Sequence, residues 1–338
     1  MKPTALEIKT KILNYFEKEI TFDELTGYLD QSDKATLVEA CALNHEGSFM
    51  LLKIVRSQNV SLLKYFILKR GISGDLLKKI ESEHIRFGGS LVCNSVFEKN
   101  FEMTTLLLDA GLDPNVYYGW RGGTPLYWAV FDQEMSQQLK LQFVEMFLDR
   151  GANPNIINDR TFESILYVAV ENANNAKNCP ESIQIIKDLI DKGADVNVDI
   201  GFSNSPILEA TVDGNLEVLK LLFDKGAKLE IYEEGKDDLD IPIVKAIKHT
   251  NAEVTAFLIQ KTIEQGGNLT TRTSNRKSPL DMLHSQSAEF QEKLIAILEK
   301  KECQDLGIVP ADSLSEPDSA SSLGKTILKC LLSKDASC

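Results

Sequence analysis

Residues 205–227, SPILEATVDGNLEVLKLLFDKGA, decide the fold. Ser205-Pro206 predicts a turn followed by a first helical residue of fixed φ, and Asp213-Gly214-Asn215 predicts the turn that ends this helix. The following stretch, 216–222, is more apolar and predicts a second helix, which Gly226 closes as a C-terminal cap. The segment therefore predicts two short antiparallel helices, with Leu221 and Leu222 buried between neighbouring units.

The same pattern recurs along the chain. TPLYWAV at 124–130 is followed by LQFVEMFLDRGANPN at 141–155, and SILYVAV at 164–170 is followed by IQIIKDLIDKGADVN at 183–197. One helix pair of this size cannot bury its apolar face alone, whereas a stack of pairs builds a shared core. We predict seven units, beginning near residues 49, 90, 124, 164, 205, 241 and 278.

These motifs resemble the ankyrin repeat, which has a period of about 33 residues and a T-P-L-H-x-A signature. The resemblance implies an all-α ankyrin-repeat solenoid of about seven helix-turn-helix units, with short β-hairpin fingers, a concave face and helical caps at both ends. The His of the signature is replaced by Cys93, Tyr127, Tyr167 and Leu208. The resemblance therefore does not predict, for this chain, the hydrogen bond that the His makes to a neighbouring repeat.

The pattern divides the chain into three parts. Residues 1–48 predict an N-terminal helical cap, 49–301 the repeat array, and 302–338 a flexible Ser-rich tail with a short apolar segment. Two units are longer than the others. We place their extra residues between the two helices, at 132–140 and 171–182, as exposed loops.

Charge limits the class of partner. The chain of 338 residues carries a net charge of −13, and residues 83–338 hold 39 acidic against 25 basic residues. This balance argues against direct nucleic-acid binding and favours a protein partner with a basic segment. No apolar stretch approaches the length of a membrane helix, so we expect no membrane insertion. We also expect a monomer.

The sequence shows no catalytic motif. The six cysteines are dispersed, which indicates reduced thiols in a cytoplasmic protein, and neither a metal site nor a cofactor is expected. The four histidines, His45, His84, His249 and His284, fall in different units. We therefore predict a non-catalytic protein–protein interaction module. A repeat-guided enzyme with an unrecognised Cys/His site stays open as an alternative.

The predicted finger at 116–123, VYYGWRGG, is the first candidate site. Tyr117, Tyr118, Trp120 and Arg121 are residue types that dominate interface energetics, because they bury a large area at modest entropic cost. Trp128 follows the signature position and is expected either to line the concave face or to pack in the core. The alternative for the finger is that its rings pack against the adjacent finger.

A second predicted finger is acidic. Glu233, Glu234, Asp237 and Asp238 are expected to receive a Lys/Arg-rich partner segment and to speed its association, the alternative being a solvated loop. Degenerate repeats with Asn- and Lys-rich loops resemble secreted ankyrin-repeat effectors of intracellular bacterial pathogens. That resemblance implies type IV secretion into the host cytoplasm, with the host nucleus left open. A scaffold or inhibitor inside the producing cell is the alternative.

Overall fold

The computed structural model describes residues 2–45, 48–88, 90–118, 121–177, 179–198, 205–229, 241–267, 269–272 and 276–299. Within these ranges the chain is all-α, with eighteen α-helices and one two-stranded antiparallel pair. It divides into two compact units, Met1–Ile165 with Lys187–Gly193 and Leu166–Ile186 with Ala194–Cys338. None of the helices in the described ranges is long and apolar enough to cross a membrane.

The first unit opens with three helices, α1 (Ala5–Phe16), α2 (Phe22–Leu29) and α3 (Lys34–Ala42). Thr4 and Thr21 begin the first two helices with reciprocal capping boxes, completed by Glu7 and Glu24. Each box satisfies backbone N–H groups that a helix start leaves without a partner. Ile8, Ile12, Leu25, Leu29 and Leu37 supply the buried side of these helices.

Three stacked helix pairs follow in this unit. They are α4 (Met50–Arg56) with α5 (Val60–Lys64), α7 (Leu91–Phe97) with α8 (Phe101–Asp109), and α9 (Pro125–Phe131) with α10 (Gln137–Asp149). The first helices pack in series, α4 on α7 and α7 on α9, and α5 packs on α8. A π-helical turn, Tyr65–Lys69, and an additional helix, α6 (Gly74–Gly88), account for the long spacing between the first two predicted units.

The boundary between the two units passes through α11 (Ile165–Asn175) and α12 (Pro180–Asp191). The second unit contains the helices α13 (Pro206–Val212), α14 (Leu216–Asp224), α15 (Pro242–Lys248), α16 (Ala252–Glu264), α17 (Pro279–His284) and α18 (Ala288–Glu299). Here α13, α15 and α17 pack in series, and α16 packs on α18. Both units thus stack helix pairs in the same way, which confirms the predicted fold class.

The predicted starts of the seven units are the residues immediately before the first helix of each pair. In four pairs the second helix begins with the same N-cap. An Asn side chain accepts a hydrogen bond from the backbone N–H three residues later, and these Asn residues are Asn59, Asn100, Asn215 and Asn251. This N-cap replaces a missing intrahelical acceptor. The division into cap, array and tail stays a prediction, and the tail 302–338, with the predicted C-terminal cap, lies outside the described residues.

Burial corrects three local expectations. Leu222 is fully buried as predicted, whereas Leu221 is only half-buried. The stretch 132–140 is not a simple exposed loop, because Lys140 is 1% exposed and donates from Nζ to the carbonyl oxygen of Val130 at 2.8 Å. The stretch 171–182 begins as a continuation of α11, and Ala173 within it is fully buried.

Asparagine side chains connect successive loops within each unit. Asn115 Nδ2 donates to Gly151 O at 3.1 Å while its Oδ1 accepts from the backbone N–H of Asn153 at 2.7 Å. Asn197 does the same in the second unit, with Gly226 O at 3.2 Å and the Lys228 N–H at 2.7 Å. These residues end the DPN and GADVN motifs, so at both places the Asn of the motif joins one loop to the next.

Candidate functional site

The described residues of the finger at 116–123, 116–118 and 121–123, are hydrogen-bonded to each other and lie against the next finger, 156–163. Tyr118 N–H donates to Gly123 O at 2.9 Å, and Gly122 N–H donates to Tyr118 O at 2.9 Å. Gly122 has a φ of 73°, and a Cβ there would lie 2.3 Å from Asn158 Oδ1. Only glycine fits this contact, because both the left-handed backbone and the neighbouring amide exclude a side chain.

Tyr118 is not the exposed anchor that the sequence predicts. It is only 3% exposed, and its ring packs edge-on against Phe97 with centroids 5.2 Å apart. Tyr117 is half-buried, and its hydroxyl donates to the Asp159 carboxylate on the next finger. Burial and this hydrogen bond raise the pKa of Tyr117. Tyr117 thus contacts the next finger and Tyr118 packs on α7, while a role of either residue in partner binding stays a prediction.

Trp128 lies in a cluster of half-buried aromatic rings. Its Nε1 donates to Gly122 O at 2.9 Å, which ties the indole to the finger. Its ring makes edge-on contacts with Phe97 at 5.3 Å and with Phe131 at 5.4 Å. Both phenylalanines are half-buried, as is Trp128. We call Phe97, Arg121, Trp128 and Phe131 the aromatic surface.

Arg121 is the exposed member of this surface. Its guanidinium carbon lies 5.6 Å from the centre of the Phe97 ring, within cation–π range. The sequence analysis identified Arg121 and Trp128 but missed Phe97 and Phe131. The missing signal was helical spacing, since Phe131 lies three residues after Trp128 on the same face of α9.

The signature position keeps a hydrogen bond between repeats despite the loss of His. The Tyr127 hydroxyl donates to Glu163 Oε2 at 2.6 Å and lies 3.2 Å from Thr161 Oγ1. Burial raises the pKa of Tyr127, and the Glu163 carboxylate raises it further. In the second unit Tyr167 donates to Glu209 Oε2 at 3.3 Å. Tyrosine thus takes over the structural role at both positions.

Phe162, at the base of the next finger, was not identified from the sequence. It is 46% exposed and has a φ of 56°, a backbone conformation that is rare for a bulky residue. Its N–H donates to Asn158 O at 2.8 Å, and Asn158 pairs with Glu163 across the hairpin. The fold therefore holds an exposed ring in a strained position beside the finger at 116–123.

Several predicted groups cannot be placed. Trp120 lies outside the described residues, as do the acidic residues Glu233, Glu234, Asp237 and Asp238, so their roles stay predictions. Among the described residues no group of three or more His, Cys, Asp or Glu side chains could hold a metal ion.

The thiols of Cys41 and Cys93 are poorly suited to nucleophilic chemistry. Both are buried, and burial raises the pKa of Cys41 to about 12 and that of Cys93 well above its ordinary value. The thiolate is the nucleophile, so a raised pKa suppresses it at neutral pH.

The chain is similar in sequence to parts of several curated proteins, two of which are named as putative ankyrin repeat proteins. The chain is 32% identical over 108 residues to the human transient receptor potential cation channel subfamily A member 1, 26% identical over 174 residues to a putative ankyrin repeat protein of Fowlpox virus (strain NVSL), and 28% identical over 92 residues to one of Acanthamoeba polyphaga mimivirus. These matches cover 32%, 50% and 27% of the chain. They span only 8%, 36% and 54% of the relatives' own lengths.

Among solved structures, the ankyrin repeat domain of Bcl-3 aligns with 75% of this chain and 100% of its own, at a TM-score of 0.48 and 19% identity. The Ankyrin repeat family model matches residues 121–159, the stretch that contains Gly122 and Gly123 of the first finger, α9, α10 and the start of the next finger. In the preceding pair, α7 begins after a side-chain N-cap at Ser90, as α9 begins after Thr124. The chain therefore contains an ankyrin repeat at residues 121–159, within an all-α fold of stacked helix pairs.

Proposed function

We propose that this protein binds another protein through the aromatic surface. The observation that carries the proposal is the cluster of half-buried rings, Phe97, Trp128 and Phe131, which lie side by side on the first helices of two neighbouring pairs. Aromatic rings that form a cluster are normally buried by the rest of the protein, so a partly exposed cluster indicates a binding surface. Tryptophan and arginine at the edge of such a cluster are typical of binding hot spots. Ankyrin repeats are generally protein–protein interaction modules, which supports the same function.

The proposal is tested by selecting ligands from a phage-displayed library of random short peptides on the full chain. Peptides retained by the wild type should bind Arg121→Ala at least tenfold more weakly, a difference of about 1.4 kcal/mol. Because Arg121 is exposed, this variant should keep the wild-type melting temperature. Lys79→Ala on α6 is the matched control, since Lys79 is exposed on a helix outside the surface. If the selected peptides bind Arg121→Ala and Lys79→Ala with wild-type affinity, the aromatic surface is not the binding site.

The remaining predicted residues extend this proposal. Trp120 belongs to the same finger as Arg121, and we expect its truncation to weaken binding in the same selection. Charge reversal at Asp237 and Asp238 should act mainly on the association rate of a basic partner segment and on its salt dependence. A salt-independent association rate in the wild type would remove the acidic finger from the contact.

A secreted effector acting on a host protein is the finer proposal for the biological role. It is supported only by composition, namely the Ser-rich tail and the Asn- and Lys-rich loops. The relatives described above are one human and two viral proteins and lend it no support. A secretion assay on the chain with and without residues 314–338 separates it from a scaffold or inhibitor that stays in the producing cell.

The enzyme alternative has its own test. If the protein acts only by binding, replacing each cysteine singly by Ser should leave peptide binding and cellular effect unchanged in every variant that folds. A folded variant that binds normally but loses its cellular effect would favour catalysis.

A further inference from the structure

Phe162 differs from the other exposed apolar side chains in its backbone. Within the part of the chain that the structure describes, the exposed large apolar residues are Leu6, Leu68 and Phe162. Leu6 lies in α1 and Leu68 in the π-helical turn, and neither has a positive φ, whereas Phe162 has a φ of 56°. Glycine and asparagine are the usual residues in this left-handed region, and a bulky residue there is strained. The chain therefore places a strained, exposed ring where a smaller residue would suit the backbone better.

Hydrogen bonds to Asn158 hold Phe162 in this conformation. Through Oδ1, the buried Asn158 accepts from the backbone N–H groups of Arg160 at 2.9 Å and Thr161 at 3.4 Å. Its carbonyl oxygen accepts from the Phe162 N–H at 2.8 Å, and its own N–H donates to Glu163 O at 3.0 Å. The backbone below the ring is thus fixed before any partner arrives. A partner that covers the ring loses little affinity to ordering this finger, because a preorganised site has less freedom to lose.

The finger at 156–163 adjoins the aromatic surface at Gly122. A Cβ at Gly122 would lie 2.8 Å from Asp159 Oδ1 and 3.0 Å from Arg160 Cγ, so the two fingers touch there. Gly122 O in turn accepts from Trp128 Nε1 at 2.9 Å. Phe162 is two residues from Arg160, so the Cα atoms of these two residues lie within about 7 Å of each other. One bound segment of polypeptide can therefore reach both the aromatic surface and the Phe162 ring.

We propose that Phe162 is a second binding anchor, which contacts the same partner segment as the aromatic surface. The segment carries two large apolar side chains, of which one packs on Phe97 and Trp128 and the other covers the ring of Phe162. Burial of an exposed ring is favourable, and residues held in strained conformations cluster at functional sites. The inference rests on the proposed function, and it adds that the partner extends from the first helices across the finger at 156–163.

The test measures melting temperature and peptide affinity on the same variants of the full chain. Phe162→Asn removes the ring and suits the left-handed backbone, so its melting temperature should equal or exceed that of wild type. Peptides retained by the wild type in the display selection should nevertheless bind this variant at least tenfold more weakly. Phe162→Tyr restores a ring and should regain the affinity that Phe162→Asn loses.

The matched control is Lys18→Asn. Lys18 is exposed just after α1 and has a φ of 63°, so the substitution relieves the same backbone conformation away from the fingers. Its melting temperature should likewise equal or exceed that of wild type, and its affinity for the peptides should not change.

The outcomes separate the inference from the proposed function. Peptides that bind Phe162→Asn like wild type but lose affinity in Arg121→Ala would overturn the second anchor and leave the aromatic surface as the binding site. A Phe162→Asn variant that melts below wild type would also overturn it, because the ring would then serve the fold. Peptides that lose affinity only in Phe162→Asn would refute the aromatic surface and the shared segment together. Peptides that bind both variants like wild type would overturn both proposals, as would a library from which the wild type retains no peptide.

Discussion

At the residue scale, adjacent side chains with the same chemistry differ in what surrounds them. Leu222 is fully buried in α14, whereas its neighbour Leu221 is half-buried, because a helix turns about 100° between consecutive residues. Tyr127 and Tyr117 both donate to a carboxylate on the next finger, but only Tyr127 is fully buried. These pairs give each prediction an internal control.

Leu222→Ala should destabilise the protein by about 2–5 kcal/mol, through lost burial and a residual cavity. Leu221→Ala should cost clearly less, because part of that side chain already contacts solvent. Denaturant unfolding of both variants measures the difference. Equal losses, or a larger loss for Leu221, would contradict the register of α14.

Tyr127→Phe should cost about 1–3 kcal/mol, since it leaves the Glu163 carboxylate without its buried hydroxyl donor. Tyr117→Phe is the matched control and should cost less, because its hydrogen bond to Asp159 is exposed. Thermal unfolding of the two variants distinguishes them. An equal and small effect would show that the hydroxyl at the signature position does not join the repeats.

At the element scale, the turn between the two helices of a pair repeats one backbone conformation. Gln58, Lys99, Gly214 and Thr250 occupy the same place, just before the Asn N-cap, with φ between 54° and 71°. This is the left-handed region, which glycine adopts freely and β-branched residues do not. The sequence indicated this turn at Asp213-Gly214-Asn215, but it could not show that other residues adopt the same conformation.

Thr250→Gly should therefore stabilise the protein by about 1 kcal/mol, because it removes left-handed strain at an exposed position. Gly214→Ala should destabilise it, both by adding that strain and because the new Cβ would lie 2.3 Å from Asn251 Nδ2. Denaturant midpoints of the two variants test the pair. A Thr250→Gly variant less stable than wild type would contradict the shared turn.

Glu81 of α6 gives a pH-dependent test of how α7 begins. Its carboxylate is 6% exposed and accepts from the Leu91 N–H at 2.7 Å. Burial raises the pKa of Glu81, more than the Leu91 and Ser90 hydrogen bonds lower it. The protonated Glu81 carboxyl therefore contributes fully to the stability of the fold below the ordinary glutamate pKa of about 4.3. This contribution is lost as the pH rises through the raised pKa of Glu81.

Glu81→Gln keeps a hydrogen-bond acceptor for the Leu91 N–H and removes the charge. Wild type should therefore lose stability relative to this variant as the pH rises from 4 to 7, a range that begins near the ordinary glutamate pKa of about 4.3. Chemical denaturation of both proteins across this range measures the difference. A difference that does not change with pH would show that the carboxylate titrates as an exposed group.

At the scale of the whole molecule, repetition made the fold predictable and the site less so. The helix pairs could be predicted because turn and cap residues recur with the apolar pattern, from Ser90 to Ser278. The site depends on packing between repeats, which no single motif contains. Tyr118 faces inward because Phe97 of the preceding pair receives it, and Phe162 faces outward because the hairpin holds it in a strained conformation.

The central claim is that ligands bind at the aromatic surface, and Trp128 reports on it directly. Trp120 and Trp128 are the two tryptophans of the chain, so Trp120→Phe leaves Trp128 as the one indole fluorophore. A peptide recovered by display is titrated into this variant, while anisotropy of a labelled copy records binding. Bound peptide should shift Trp128 emission to the blue and protect it from acrylamide quenching. Saturated anisotropy with Trp128 emission and quenching unchanged would contradict the account.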